Sequence, residues 1–197
     1  MARLTAPKRR EQLLDTAAEL FARSGYARAT TAQLAKAAGV TEPIIYRHFK
    51  SKRDLFIELI RTSAARTLKE WQELLKGAKD PAERVRRLLD HNPMVEKGRF
   101  AYRVLLQAIT EVNDAEIKKA VVEHMTELHG FLKREIAAAQ KKHKVPDATS
   151  PELIAWILIH IGLGYGVLDA LGVPHQGMDK KGVSVRDVLE RNMIRAG

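Results

Sequence analysis

Hydrophobic residues recur every three or four positions along almost the whole chain, and the every-second-residue alternation of half-buried strands is nearly absent. Leu13, Leu14, Ala17, Ala18, Leu20 and Phe21 predict a helix over residues 8–24 that Gly25 stops. Thr30 and Thr31 open a short second helix over 32–38, closed by Gly39, and Thr41 opens a third over 42–49. Ser51 and Asp54 have the spacing of a capping pair. They start a long fourth helix to about residue 76, striped by Leu55, Phe56, Leu59, Ile60, Ala64, Leu68 and Trp71. Beyond the break at Gly77 and Asp80-Pro81, helices follow over about 81–91 and 95–112. A long one then runs to about 142, with Ile117, Val121, Met125, Leu128, Leu132, Ile136 and Ala139 on one face. Residues 151–171 are the most apolar stretch, 172–182 form a loop, and 184–195 form a short last helix. The expected fold class is all-α.

The second and third helices have the spacing of a helix-turn-helix. Ala35 is small enough for two helices to cross closely, and Gly39 permits a positive φ at the turn. Val40 fills the space between the helices, and the Thr41 hydroxyl is placed to cap the third helix. Pro43 falls in the first turn, where its missing N–H costs little. Ile45 and Phe49, four apart, point into a small core. The opposite face carries Pro43, Ile44, Arg47 and Lys50, flanked by Tyr46 and His48, a mixture suited to a duplex groove. Arg47 can donate to guanine edges, and Pro43 and Ile44 can meet thymine methyls. Tyr46, His48, Lys50 and Lys52 can reach phosphates, as can the Thr31 hydroxyl and N–H at the start of the second helix.

Charge agrees with this placement. The net charge is +10, and residues 1–55 hold 11 Lys or Arg against 5 Asp or Glu. The positive excess is therefore concentrated in the first quarter, where a polyanion would sit.

The run Gly39-Val40-Thr41, Ile45-Tyr46, His48-Phe49-Lys50-Ser51-Lys52 and Leu55-Phe56 resembles the signature of the TetR family of transcription regulators. Glu19-Leu20-Phe21 and Gly25-Tyr26 resemble that family's first helix, so the likeness covers residues 8–68. It implies a three-helix DNA-binding domain over 8–68, with the helix-turn-helix at about 31–50, and a helical effector-binding and dimerisation domain over 69–197. By the family pattern Thr31, Thr41, Glu42, Pro43, Tyr46, Arg47, His48 and Lys52 line the DNA. Glu42 is acidic where polar or basic residues are frequent, and Ile44 replaces a frequent Thr or Ser. The resemblance also implies a ligand-responsive repressor, a homodimer on a near-palindromic operator in double-stranded DNA, released by a small-molecule effector. The alternative is a constitutive or nucleoid-type DNA-binding protein without effector control.

In the C-terminal region, residues 153–168 contain His160 as their one ionisable side chain. A helix apolar all round is expected to be buried on most sides, shared between core, dimer interface and ligand cavity. It falls short of the roughly 20 apolar residues of a membrane span and is bounded by Glu152 and Asp169. Candidate pocket residues are Met94, Phe100, Tyr102, Arg103, Gln107, Met125, Trp156, His160 and Tyr165, which combine apolar walls with a few polar groups. His124, Glu123 and Glu127 read as a solvated helix face rather than a metal site.

The remaining chemistry narrows the classes. Cysteine is absent, so neither a disulfide framework nor a thiolate metal site is available. No HExxH, Walker or Gly-rich dinucleotide motif occurs, and no nucleophile–base pair is visible. An enzyme is not expected, nor a cofactor. The basic, polar start has no signal-peptide core, and a cytoplasmic location is expected.

Overall fold

A computed structural model describes residues 4–90, 99–173 and 179–194, and their ordered elements are all helical. In chain order these are α1 (Ala6–Ser24), α2 (Thr31–Ala38), α3 (Glu42–His48), α4 (Lys52–Leu74), α5 (Pro81–Asp90), α6 (Arg99–Thr110), α7 (Ala115–Lys141), α8 (Pro151–Ala170) and α9 (Val185–Met193). The helices stop where the sequence punctuates them. Gly25 and Gly39 follow α1 and α2 at φ 81 and 66, values that a side chain would strain.

The described residues form two compact units. One holds those up to Ala64 together with Phe100–His124; the other holds those from Ala65 to Arg99 and from Met125 onward. A boundary at residue 68 therefore falls inside α4, and α6 with the start of α7 groups with the N-terminal helices. Periodicity marks which face of a helix is buried, not against what.

The core of the first unit is built from α1 (Leu13, Leu14, Ala17, Phe21), α2 (Leu34, Ala35, Ala38), α3 (Ile45) and Phe49, and α4 (Leu55, Phe56, Leu59, Ile60). Val104 and Ala108 of α6 and Ile117 and Ala120 of α7 complete it. Phe21 meets the rings of Tyr26 and Phe56 edge-on, both at 5.5 Å, while Tyr26 stacks on Phe56 at 4.1 Å. Truncating such a side chain costs about 3–5 kcal/mol.

The second unit packs Trp71, Leu75, Val85, Leu128, Phe131, Leu132, Ile136, Ile154 and Ile159. Ion pairs fasten its short helices. Arg84 forks onto Glu135 at 2.7 and 2.8 Å, and Arg86 reaches Glu190 of α9 at 3.0 Å.

The apolar helix α8 is not buried on most sides. Ile154, Ala155 and Ile159 enter the core, but Leu153, Trp156, Ile157, Val167, Leu168 and Leu171 are exposed. These six share one side at helical spacing. Residues 151–168 are long and apolar enough to cross a membrane by length and composition.

Candidate nucleic-acid interface

The third helix owes its posture to one anchor. Ile45 is 1% exposed and Phe49, just past the helix, is 2% exposed. With that side buried, Pro43, Tyr46 and Arg47 stand on the exposed side, with Lys50 beyond the helix end. Ile44 and His48, expected on the free face or flanking it, are half-buried. Pro43 lies in the first turn as expected, whereas the Thr41 side chain makes no capping hydrogen bond. Thr41 is exposed.

The second helix is capped by Thr30, whose hydroxyl accepts the Gln33 N–H while the Gln33 amide oxygen accepts the Thr30 N–H. Thr31 is thereby freed for another task. Its hydroxyl donates to Glu42 Oε1 at 2.6 Å and lies 3.1 Å from the Tyr46 hydroxyl. The three side chains tie the first turn of α2 to α3, on the side where a phosphate was expected to meet Thr31.

Lys52 is placed otherwise than its charge suggested. Its Nζ donates to the carbonyls of Tyr26, Ala27 and Ala29 at 3.0, 3.3 and 3.0 Å, and it lies 4.5 Å over the Tyr26 ring. An ammonium has three N–H donors, so all are engaged within the loop that delivers Thr30. Lys50, by contrast, is exposed and its backbone N–H is held by Asp54 Oδ2 at 3.0 Å. Ser51 accepts the Asp54 N–H at 3.0 Å, so the expected cap on α4 is present. Arg10 of α1 lies 4.6 Å over the Phe49 ring and pairs with Glu58 at 3.0 Å.

Two contacts that the sequence did not reveal hold this face from behind. Gln107 of α6 accepts the Tyr26 N–H at 2.7 Å and donates to the Phe21 carbonyl. Arg53 of α4 forks onto Asp114, which also caps α7 by accepting the Glu116 and Ile117 N–H groups. The Arg53 guanidinium and those backbone donors hold the Asp114 carboxyl down to about 2. Burial, with Glu111 and Asp114 nearby, raises the Tyr26 hydroxyl above its ordinary value.

Five of the nine proposed pocket residues, Gln107, Met125, Trp156, His160 and Tyr165, have described side chains. Met94 lies outside the described residues, as do the side chains of Phe100, Tyr102 and Arg103. Gln107 has its amide committed to α1 and the loop after it. Met125 is half-buried against the second core. Trp156 and His160 are exposed on α8, and Tyr165 is half-buried. Trp156 stacks at 4.3 Å on His129, whose Nε2 lies 3.1 Å from the Glu152 carbonyl oxygen.

His124 does not lie on a solvated face. It is 8% exposed, and burial pushes its imidazole down to about 4. Its Nδ1 and the Trp71 Nε1 are buried without a hydrogen-bond partner among the described residues. Glu123 pairs with Arg61 at 3.6 Å. Among the described residues no group of three or more His, Asp or Glu could hold a metal ion.

Comparison with known proteins agrees with the geometry. Residues 13–59 match the family described as "Bacterial regulatory proteins, tetR family". The nucleoid occlusion factor SlmA of Marinobacter nauticus is 42% identical over 82 residues, 42% of each chain. The HTH-type transcriptional regulator AcrR of Shigella flexneri is 39% identical over 97 residues, 46% of this chain and 44% of that one. The chain thus spans less than half the length of these curated relatives. A transcriptional regulator from Saccharomonospora viridis, solved in complex with choline, superposes with a TM-score of 0.80 at 25% identity, over 96% of this chain and 100% of that one.

Proposed function

Because the chain belongs to the bacterial tetR family of DNA-binding regulators, we propose that it is a ligand-responsive repressor that binds a near-palindromic operator as a homodimer and leaves it when a small molecule binds. The observation that carries this reading is α3. A seven-residue helix pinned through Ile45 presents Pro43, Tyr46 and Arg47 outward, with Lys50 beside them. Arg47 reads guanine, Pro43 meets a thymine methyl, and Lys50 holds a phosphate. His48 and Ile44 shape the helix flanks rather than its tip. Lys52 and Gln107 position the segment before α2.

The exposed stripe on α8 supports the dimer, since two-fold symmetry lets one such stripe cover its own copy. Effector control requires a ligand with unequal affinity for two settings of the chain. That the Saccharomonospora viridis regulator was solved in complex with choline supports a small-molecule effector. The helix α4, continuous from Lys52 to Leu74, is the element through which such a ligand would move the DNA face. Location in the cytoplasm, where the operator is, follows from this role.

The likeness to a nucleoid occlusion factor favours a second reading, a DNA binder that works without effector control. One experiment separates the two. Sequence selection from randomised duplexes, followed by binding to the selected site with and without a small-molecule panel, reports both specificity and release. Selection of a two-fold site and loss of binding with at least one compound support the repressor. A selected site indifferent to every compound supports the second reading, and no selected site at 150 mM salt overturns sequence-specific regulation altogether.

A further inference from the structure

Glu42 is the one carboxylate in α3, and it sits in the first turn, next to the outward-facing Pro43 and one turn from Tyr46. Its position is set from outside the helix. The Thr31 hydroxyl donates to its Oε1 at 2.6 Å, and that hydroxyl is held in turn at 3.1 Å from the Tyr46 hydroxyl. A side chain with three rotatable bonds is thus fixed before DNA arrives, which lowers the ordering cost of any contact it makes.

An ionised carboxylate only accepts hydrogen bonds. Phosphate oxygens, guanine O6 and N7, and thymine O4 are acceptors too and repel it. The major groove offers it two donors, the N4 amino group of cytosine and the N6 amino group of adenine. Adenine sets the acceptor N7 beside its amino group, whereas cytosine presents only a C–H there, so cytosine is the better match.

We propose that Glu42 is a base-selecting residue, which accepts from the N4 amino group of a cytosine in each half-site while Thr31 positions its carboxylate. The inference rests on the DNA-binding reading above and sharpens it to one base pair. It also gives Thr31 a role other than phosphate contact.

The rival role is a tie between α2 and α3 that never meets a base, so melting temperature and affinity alone do not decide. The full-length protein, Glu42→Ala, Glu42→Gln and Thr31→Val are each used to select sequences from randomised duplexes. Affinities are then compared on the selected site and on the same site with the cytosine pair changed to T·A. The wild type is expected to select a cytosine at one symmetric position and to lose roughly five- to thirtyfold on the T·A site. Glu42→Ala is expected to bring that ratio to about one. Glu42→Gln should move the preference toward adenine, and Thr31→Val should weaken the cytosine preference without moving it. If wild type and Glu42→Ala select the same bases with the same ratio, Glu42 is a helix tie and the proposal falls. If the wild type itself selects nothing, the DNA-binding reading fails first, and the two failures are distinct.

Discussion

Gln107 is hydrogen-bonded to Tyr26, its side-chain oxygen accepting the Tyr26 backbone N–H at 2.7 Å across 81 residues of sequence. The same amide donates to the Phe21 carbonyl, so one side chain of α6 closes the C-terminal end of α1 and the loop leading to α2. Gln107→Leu keeps the bulk and removes both bonds, leaving the Tyr26 N–H without its acceptor. The expected loss is about 1–3 kcal/mol of stability. Urea unfolding checks it; a variant as stable as the wild type would show that the bridge contributes nothing to the unit.

Lys50 and Lys52 should separate under salt. Lys52 spends its three donors on loop carbonyls, while the Lys50 side chain is exposed beside α3. Lys50→Ala is expected to lower the slope of log affinity against log salt by about one per subunit. Lys52→Met is expected to leave that slope unchanged, lower stability by about 1–2 kcal/mol, and weaken binding only through a looser loop. Anisotropy titrations across 50–300 mM salt decide it, and a reduced slope for Lys52→Met would place its ammonium on a phosphate.

Most of the exposed side of α3 was legible in the sequence because a helix-turn-helix is local. Gly39, Ile45 and Phe49 dictate the turn and the buried side from a span of eleven residues, and they leave Pro43, Tyr46 and Arg47 outward by periodicity alone. What was not legible involves partners far apart in the chain. Lys52 looked like any lysine near DNA until three carbonyls 23 to 26 residues away were placed around it. Gln107 looked like a polar group for a pocket, and His124 like a solvated one, because helical spacing does not reveal which neighbour a face meets. Periodicity could not divide α8 into faces because it is apolar all round; in the single chain Ile154, Ala155 and Ile159 are buried and Leu153, Trp156 and Ile157 are exposed.

Asp114 and His124 give the first unit two separate acid windows. The Asp114 carboxyl titrates near 2 in the folded protein against an ordinary 3.8, so its contribution is complete above about pH 4 and is lost as pH falls from there through 2. His124 runs the other way. Its folded value is near 4 against an ordinary 6.5, so below pH 6.5 the unfolded chain takes up a proton that the folded chain refuses, and stability falls until about pH 4. Melting temperatures of wild type and His124→Leu should therefore diverge in slope between pH 6.5 and 4, with the variant flatter. The gap between wild type and Asp114→Asn should stay constant through that range and close below pH 4. Parallel curves for His124→Leu would show that the imidazole is hydrated.

The stripe on α8 yields the last prediction. Ile157 and Leu168 are 39% and 37% exposed in the single chain, so neither is required by its own core. If a second copy covers them, an acidic side chain at either position forces a charge into an apolar interface, and like charges meet across the two-fold axis. Ile157→Glu and Leu168→Glu are each expected to sediment as monomers at micromolar concentration, with unchanged far-UV circular dichroism, while the wild type sediments as a dimer. Operator affinity should fall at least tenfold in both, because each head alone holds one half-site. A wild type that sediments as a monomer would leave the stripe to another occupant. Dimeric variants would move the interface elsewhere on the second unit.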